Sequence, residues 1–187
     1  MRIVLLIGHD ENSPGAKNKE FKMNEFKFNS VIAKSIIKRM HELGFKYCKD
    51  IFVVFRTKKL TYKKIPEYVN GMKPDFIISM HCNSFDTTVS GSEVLYYEKS
   101  KKGKVIAGIL QKEVLEALKL NDRGLKPLKS SENGGYLLKN TKAPCVICEP
   151  FFIDNDKDFV KAVLDSNKLI NAYANAFIKI DFELSKK

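Results

Sequence analysis

Four short, nearly unbroken apolar runs punctuate the chain: RIVLLI at 2–7, IFVVF at 51–55, FIISM at 76–80 and PCVIC at 144–148. Runs of this length without polar alternation mark strands buried on both faces, as in a parallel sheet. SEVLYY at 92–97 follows Gly91 and reads as a further strand. Between these runs the period changes. Phe28, Ile32, Ile36, Met40 and Leu43 recur every three to four residues, which predicts a helix over 25–43 with Asn24 as N-cap and Gly44 as stop.

The same period predicts helices over 104–120 (Ile106, Ile109, Leu110, Val114, Leu118) and over 156–178 (Phe159, Val163, Ile170, Tyr173, Phe177). A shorter helix over 62–71 holds Pro66 in its first turn. Strands alternating with helices imply right-handed crossovers. The expected fold is therefore α/β: an open, mostly parallel twisted sheet of about six strands with helices on both faces. Residues 10–24, 84–91 and 121–135 are expected to be loops. With no repeat, low-complexity tract or internal linker, residues 1–180 form one domain, and 181–187 are a tail or the start of a linker.

Composition narrows the class. The 187 residues are 44% hydrophobic, sufficient for an ordinary core. No apolar run approaches the ~20 residues of a bilayer-spanning helix, so no membrane span is expected. MRIVLLIGHD is too short for a secretory signal and lacks its cleavage site. Cys48, Cys82, Cys145 and Cys148 lie mostly within apolar runs, as free thiols of a reducing compartment do. A formal net charge of +11 attracts polyanions, whether nucleic acid, anionic lipid or an acidic cell wall. The lysines are scattered through 17–27, 46–64, 99–104 and 126–142 without an arginine-rich helix or nucleic-acid motif, so nucleic acid is not the expected partner.

Ligands bind outside the carboxyl ends of strands in open parallel sheets, which directs attention to polar residues just after the apolar runs. His9 follows the first run, His81 the third and Glu149 the last. The helix after the first strand must return antiparallel to it, so Glu25 at its start lies on that same edge. Two histidines and two glutamates suit a catalytic zinc site with three ligands and an open position, the remaining acid serving as general base. His41, late on its helix, carries no assigned role. Cys145 and Cys148 have CxxC spacing, but i and i+3 on a strand face opposite ways, and Cys82 points away from its neighbour His81.

These residues sit in motifs that resemble the zinc-dependent N-acetylmuramoyl-L-alanine amidases of the amidase-3 type, especially catalytic domains of phage endolysins from clostridial hosts. The resemblance covers nearly the whole chain. It rests on IGHDENSPGA at 7–16, NEFKFN at 24–29, SMHCNS at 79–84, GSEVLYY at 91–97, NDRGLK at 121–126 and CEPFFIDN at 148–155. The chain departs from the commoner pattern in Asp10 and Glu11 after His9 and in Pro150 after Glu149.

The resemblance implies Zn2+ held by His9, Glu25 and His81, with Glu149 as the catalytic glutamate. Glu20 competes for the second ligand position, but Glu25 has Asn29 four residues on, as the family pattern requires. It further implies hydrolysis of the MurNAc–L-Ala amide of peptidoglycan by a monomeric phage or prophage endolysin. Such an enzyme is made in the host cytoplasm without a signal peptide and acts on the wall after release. Asn83, Arg123 and Lys126 are candidate substrate contacts, and the basic surface suits anionic wall polymers. The alternatives are a zinc peptidoglycan endopeptidase and a non-catalytic basic wall-binding protein.

Overall fold

A computed structural model describes residues 1–44 and 50–186. Cys48 and part of the lysine cluster at 46–64 lie outside the described residues. The four apolar runs form strands β1 (Arg2–Ile7), β4 (Asp50–Phe55), β5 (Phe76–Met80) and β8 (Cys145–Glu149). A two-residue ladder, β2 (Lys17–Asn18) with β3 (Met23–Asn24), ties together the segment before the first helix. The remaining strands are β6 (Ser92–Tyr97) and β7 (Asp122–Leu128).

The six-stranded sheet has the order β4-β1-β5-β8-β6-β7. β1 pairs in parallel with β4 and β5, and β5 in parallel with β8. β6 runs antiparallel to β8, and β7 runs parallel to β6. The sheet is thus mixed and mostly parallel. Reversal at β6 places the beginnings of β6 and β7 on the edge where β1, β5 and β8 end.

The helices are α1 (Glu25–Glu42), α2 (Ile65–Gly71), α3 (Lys101–Leu118), α4 (Gly135–Asn140), α5 (Asp156–Leu164) and α6 (Ser166–Ser185). On one face Ile3, Leu5 and Ile7 pack with Ile32 and Ile36 of α1, Leu110 of α3 and Phe177 of α6. On the other face Val4, Leu6 and Ile77 pack with Val69 of α2 and Leu137 of α4. Alternate residues of one strand therefore feed two cores, which is why the runs show almost no polar positions. The same alternation separates Cys145 from Cys148: they belong to opposite cores. No helix of the described residues is long and apolar enough to cross a membrane.

Asn24 caps α1, its Oδ1 accepting from the Lys27 N–H at 2.9 Å. Three expectations need correction. Residues 121–135 are not one loop, since they contain β7. That strand is an edge strand, where Gly124 and Pro127 cost little because one side of its ladder is unpaired. Residues 156–178 are not one helix. Asp165 ends α5 and starts α6, its carboxylate meeting Lys161 at 2.6 Å and Lys168 at 2.8 Å, and Val163 is consequently 45% exposed. The last helix also continues to Ser185 rather than giving way to a tail at 181.

Candidate active site and metal centre

Every strand of the sheet delivers a charged or ionisable residue to one edge. In spatial order these are Arg56 after β4, His9 after β1, His81 after β5, Glu149 ending β8, Glu93 near the start of β6 and Arg123 near the start of β7. Arg56, His9, His81 and Glu149 open onto a cleft of about 390 Å³ floored by Leu6, Leu95 and Ile147, which belong to the α2/α4 side of the sheet.

Glu25 enters from the opposite side, at the first turn of α1, and is 3% exposed. Its carboxylate is held at four points. Oε1 accepts from the Cys82 N–H at 3.0 Å and lies 2.9 Å from His81 Nδ1. Oε2 accepts from the Ala16 N–H at 3.1 Å and lies 3.3 Å from His9 Nε2. One ligand atom from each of His9, Glu25 and His81 lies within 4.8 Å of the others, a spacing suited to one shared cation. Glu20, the competing acid, is exposed and lines a different surface depression with Ser84 and Asp154.

The loop between β1 and β2 is shaped for this cluster. Asp10 accepts from the N–H groups of Asn12 (2.9 Å) and Ser13 (3.0 Å), and His9 Nδ1 lies 3.2 Å from Ser13 O. The acidic residue after His9 thus builds the turn that orients the imidazole. Gly15 has φ +78°, and the space a side chain would fill there holds the Glu25 carboxylate and the His9 ring. Gly8 is tighter still: a Cβ would clash with the Cε1, Nε2 and Cδ2 atoms of the His81 ring.

Electrostatics divide the two acids, Glu25 buried and Glu149 half-buried. Burial alone would raise Glu25, but its hydrogen bond to His81 and the two nearby imidazoles hold it below the ordinary carboxyl range. Glu149 has no such partner: its Oε2 is buried without a hydrogen bond. Burial, aided by the charges of Glu25 and Glu93 against the opposing His81, pushes Glu149 up to about 8. Burial lowers His9 despite Glu25, whereas the Glu25 hydrogen bond and the Glu149 charge raise His81 against its burial.

Asn83 Nδ2 donates to Glu93 Oε1 at 2.7 Å. Arg123 Nε donates to Glu93 Oε2 at 2.9 Å, and the guanidinium lies over the Phe152 ring at 4.9 Å. Lys126 is three residues further along β7, in register with Leu95 and hence on the cleft face, but not at the edge row.

Sequence reasoning missed Glu93 and Arg56. Glu93 faces Glu149 directly across the antiparallel β6–β8 pair. Its position could not be read before the direction of β6 was known. Arg56 Nη1 donates to Gly8 O at 2.8 Å, joining the end of β4 to the site. Glu93→Ala should unfold at lower temperature by the equivalent of roughly 1–3 kcal/mol, because it strands Asn83 and Arg123 together. Thermal melts that match the wild type would show the Asn83–Glu93–Arg123 chain to be idle.

The fold and site define an open α/β protein whose sheet edge assembles a His/Glu/His set suited to a metal ion beside a separate buried acid. Residues 3–179 match the amidase-3 family model, described as N-acetylmuramoyl-L-alanine amidase, and the chain belongs to that family. An uncharacterized cell wall amidase of Bacillus anthracis is 32% identical over 108 residues, 54% of this chain and 19% of that protein, so the chain spans only a small part of that relative. The fold is shared with an N-acetylmuramoyl-L-alanine amidase of Clostridium difficile 630 (TM-score 0.80, 22% identity, 100% of this chain and 98% of the other). It is also shared with the catalytic domain of the CD27L endolysin targeting C. difficile (TM-score 0.74, 24% identity, 95% and 97%).

Proposed function

We propose that this chain is a zinc-dependent N-acetylmuramoyl-L-alanine amidase that hydrolyses the MurNAc–L-Ala amide of peptidoglycan. The observation that carries the reading is the meeting of His9, Glu25 and His81 on one edge with Glu149, a half-buried acid whose Oε2 is buried without a hydrogen bond. Two imidazoles and a carboxylate are the donors zinc takes at hydrolytic centres, and bound there it would supply Lewis-acid polarisation of the amide carbonyl and a lowered pKa for water.

The chain's own residues do the rest. The Ser13 carbonyl orients the His9 imidazole, and the Ala16 and Cys82 N–H groups fix both oxygens of Glu25. Glu149 holds a proton at neutral pH in the metal-free protein; a dication nearby lowers that affinity. The same carboxyl then takes a proton from the attacking water and passes it to the departing alanine nitrogen. Asn83 acts through Glu93, while the terminal nitrogens of Arg123, without a hydrogen bond among the described residues, and the Lys126 ammonium are left for substrate carboxylates. A lytic role for a phage or prophage product belongs to the same proposal and is supported by the +11 charge, which favours binding to an anionic wall.

Mass spectrometry of fragments released from purified peptidoglycan tests the reading. The expected products are intact glycan and peptides with a new L-alanine N-terminus, lost with a chelator and restored by zinc. A different new amine would instead identify an endopeptidase, and no release at all would leave a wall-binding protein.

A further inference from the structure

The catalytic cleft has two unlike sides. The sheet edge supplies its ionisable groups, whereas the side toward α2 and α4 is lined by Ile65, Asn133, Gly134 and Leu137 together with the ring of Tyr62. Two tyrosines tie that second side together. The Leu137 N–H donates to the Tyr62 hydroxyl oxygen at 3.4 Å, and the Tyr136 hydroxyl donates to Lys63 O at 3.3 Å. Their rings lie against each other with centres 5.7 Å apart. Farther along the same wall Asn70 Nδ2 donates to Asn140 O at 3.0 Å, and Asn70 Oδ1 accepts from the Lys142 N–H at 2.7 Å. Gly134 is seated on the cleft floor, since a Cβ there would lie 2.6 Å from Ile147 Cδ1. A wall held at this many points fixes the phenol before anything binds, which lowers the cost of ordering it around a ligand.

The two hydroxyls differ in what they have left to give. Tyr136 has spent its hydrogen on Lys63 O and stands outside the cleft. Tyr62 acts only as an acceptor, from the Leu137 N–H and with the Gly134 N–H as a second donor, and its own hydrogen meets no acceptor among the described residues. A half-buried hydroxyl can both donate and accept, and polar groups taken from water normally find partners for what they offer. Burial pushes the Tyr62 phenol above its ordinary value, so the hydrogen is in place at neutral pH. The Arg56 guanidinium acts electrostatically on this hydroxyl and on both metal-site imidazoles, which sets the phenol on the reacting side of the cleft.

We propose that Tyr62 is a substrate-binding residue of the cleft, its hydroxyl donating to a carbonyl-type oxygen of the bound substrate. This rests on the amidase reading and adds to it a residue from outside the sheet edge. The acceptor is a neutral oxygen, because the phenol packs against the apolar cluster of Ile65, Leu137 and Ile147 and carries no charge to offset a buried anion. A pocket that hydrogen-bonds such an oxygen also selects against molecules that lack it, since the donor would then be left unpaired.

Two single substitutions separate this role from the stability of the wall. Tyr62→Phe and Tyr136→Phe each remove one hydroxyl of the reciprocal pair, but only the first removes a donor that lines the cleft. With zinc-loaded protein and soluble peptidoglycan fragments as substrate, Tyr62→Phe should lower kcat/KM about three- to tenfold, the range of one neutral hydrogen bond, at unchanged zinc content. Tyr136→Phe should lower the melting temperature to a similar degree and keep kcat/KM within about twofold of the wild type. Equal losses of kcat/KM in the two variants, or no loss in Tyr62→Phe, overturn the assignment and leave the amidase reading standing. Fragments left uncut by the wild type overturn both.

Discussion

Glu149→Gln should abolish wall hydrolysis and, in the metal-free protein, make the fold more stable at pH 8 while leaving it nearly unchanged near pH 4.5. The loss of activity follows from removing the proton carrier, a step that contributes about 10²–10⁴ in rate. The gain in stability follows from burial. Glu149 lies within the sheet edge with one oxygen unpartnered, and its carboxyl is raised from the ordinary 4.5 to about 8.

A folded-state pKa above the unfolded value means that the native protein holds the proton more tightly than the unfolded chain does. The stability this gives is complete below pH 4.5 and is lost as pH rises toward 8, because the unfolded chain ionises freely while the folded one resists. At ~1.4 kcal/mol per unit the cost at pH 8 is on the order of 4 kcal/mol, or roughly 10 °C in melting temperature for a chain of this size. Glutamine has the same shape and cannot ionise, so the variant escapes this cost. Melting both proteins with chelator at pH 5 and pH 8 isolates the effect, since other titrating groups are common to the pair. A difference in melting temperature that does not grow with pH would show that Glu149 is not held neutral.

Gly8→Ala should remove metal binding and activity together. Gly8 donates its N–H to Met80 O at 3.1 Å and accepts from Arg56, so its backbone is pinned on both sides. The added methyl would clash with the His81 ring, which must turn away and break its 2.9 Å contact with Glu25. Overpacking of this kind costs about 1–3 kcal/mol of stability, and a displacement of ~1 Å at a reacting centre costs on the order of a hundredfold in rate. Gly71→Ala is the control, since nothing lies within 4 Å of a Cβ there. Measured zinc content and turnover are the readouts. A Gly8→Ala protein that keeps its metal and its rate would mean that His81 is not seated against residue 8.

Part of this site was legible in the chain itself. His9, His81 and Glu149 stand just past apolar runs, and position after a buried strand is a local property of sequence. Glu25 needed one step more, the rule that a helix following a strand returns to the same edge. Glu93 offered no such handle. SEVLYY looks the same whether its strand runs up or down, and only its antiparallel pairing with β8 brings residue 93 opposite residue 149. Asn83, a candidate substrate contact by sequence, instead has its amide on Glu93, a partner that only the β6–β8 pairing brings near.

The sequence by itself determined the layers, because a run such as FIISM can avoid water only with helices on both its faces. It also determined the cap at Asn24 and the chemical types of the metal-site residues, which are set by adjacent positions. Tertiary structure alone decided the direction of β6, the edge strand β7 with its Gly and Pro, and the pairing of Arg56 with Gly8. Each of these depends on a partner tens of residues away or on a neighbouring strand's absence. No local pattern of hydrophobic and polar residues encodes that information.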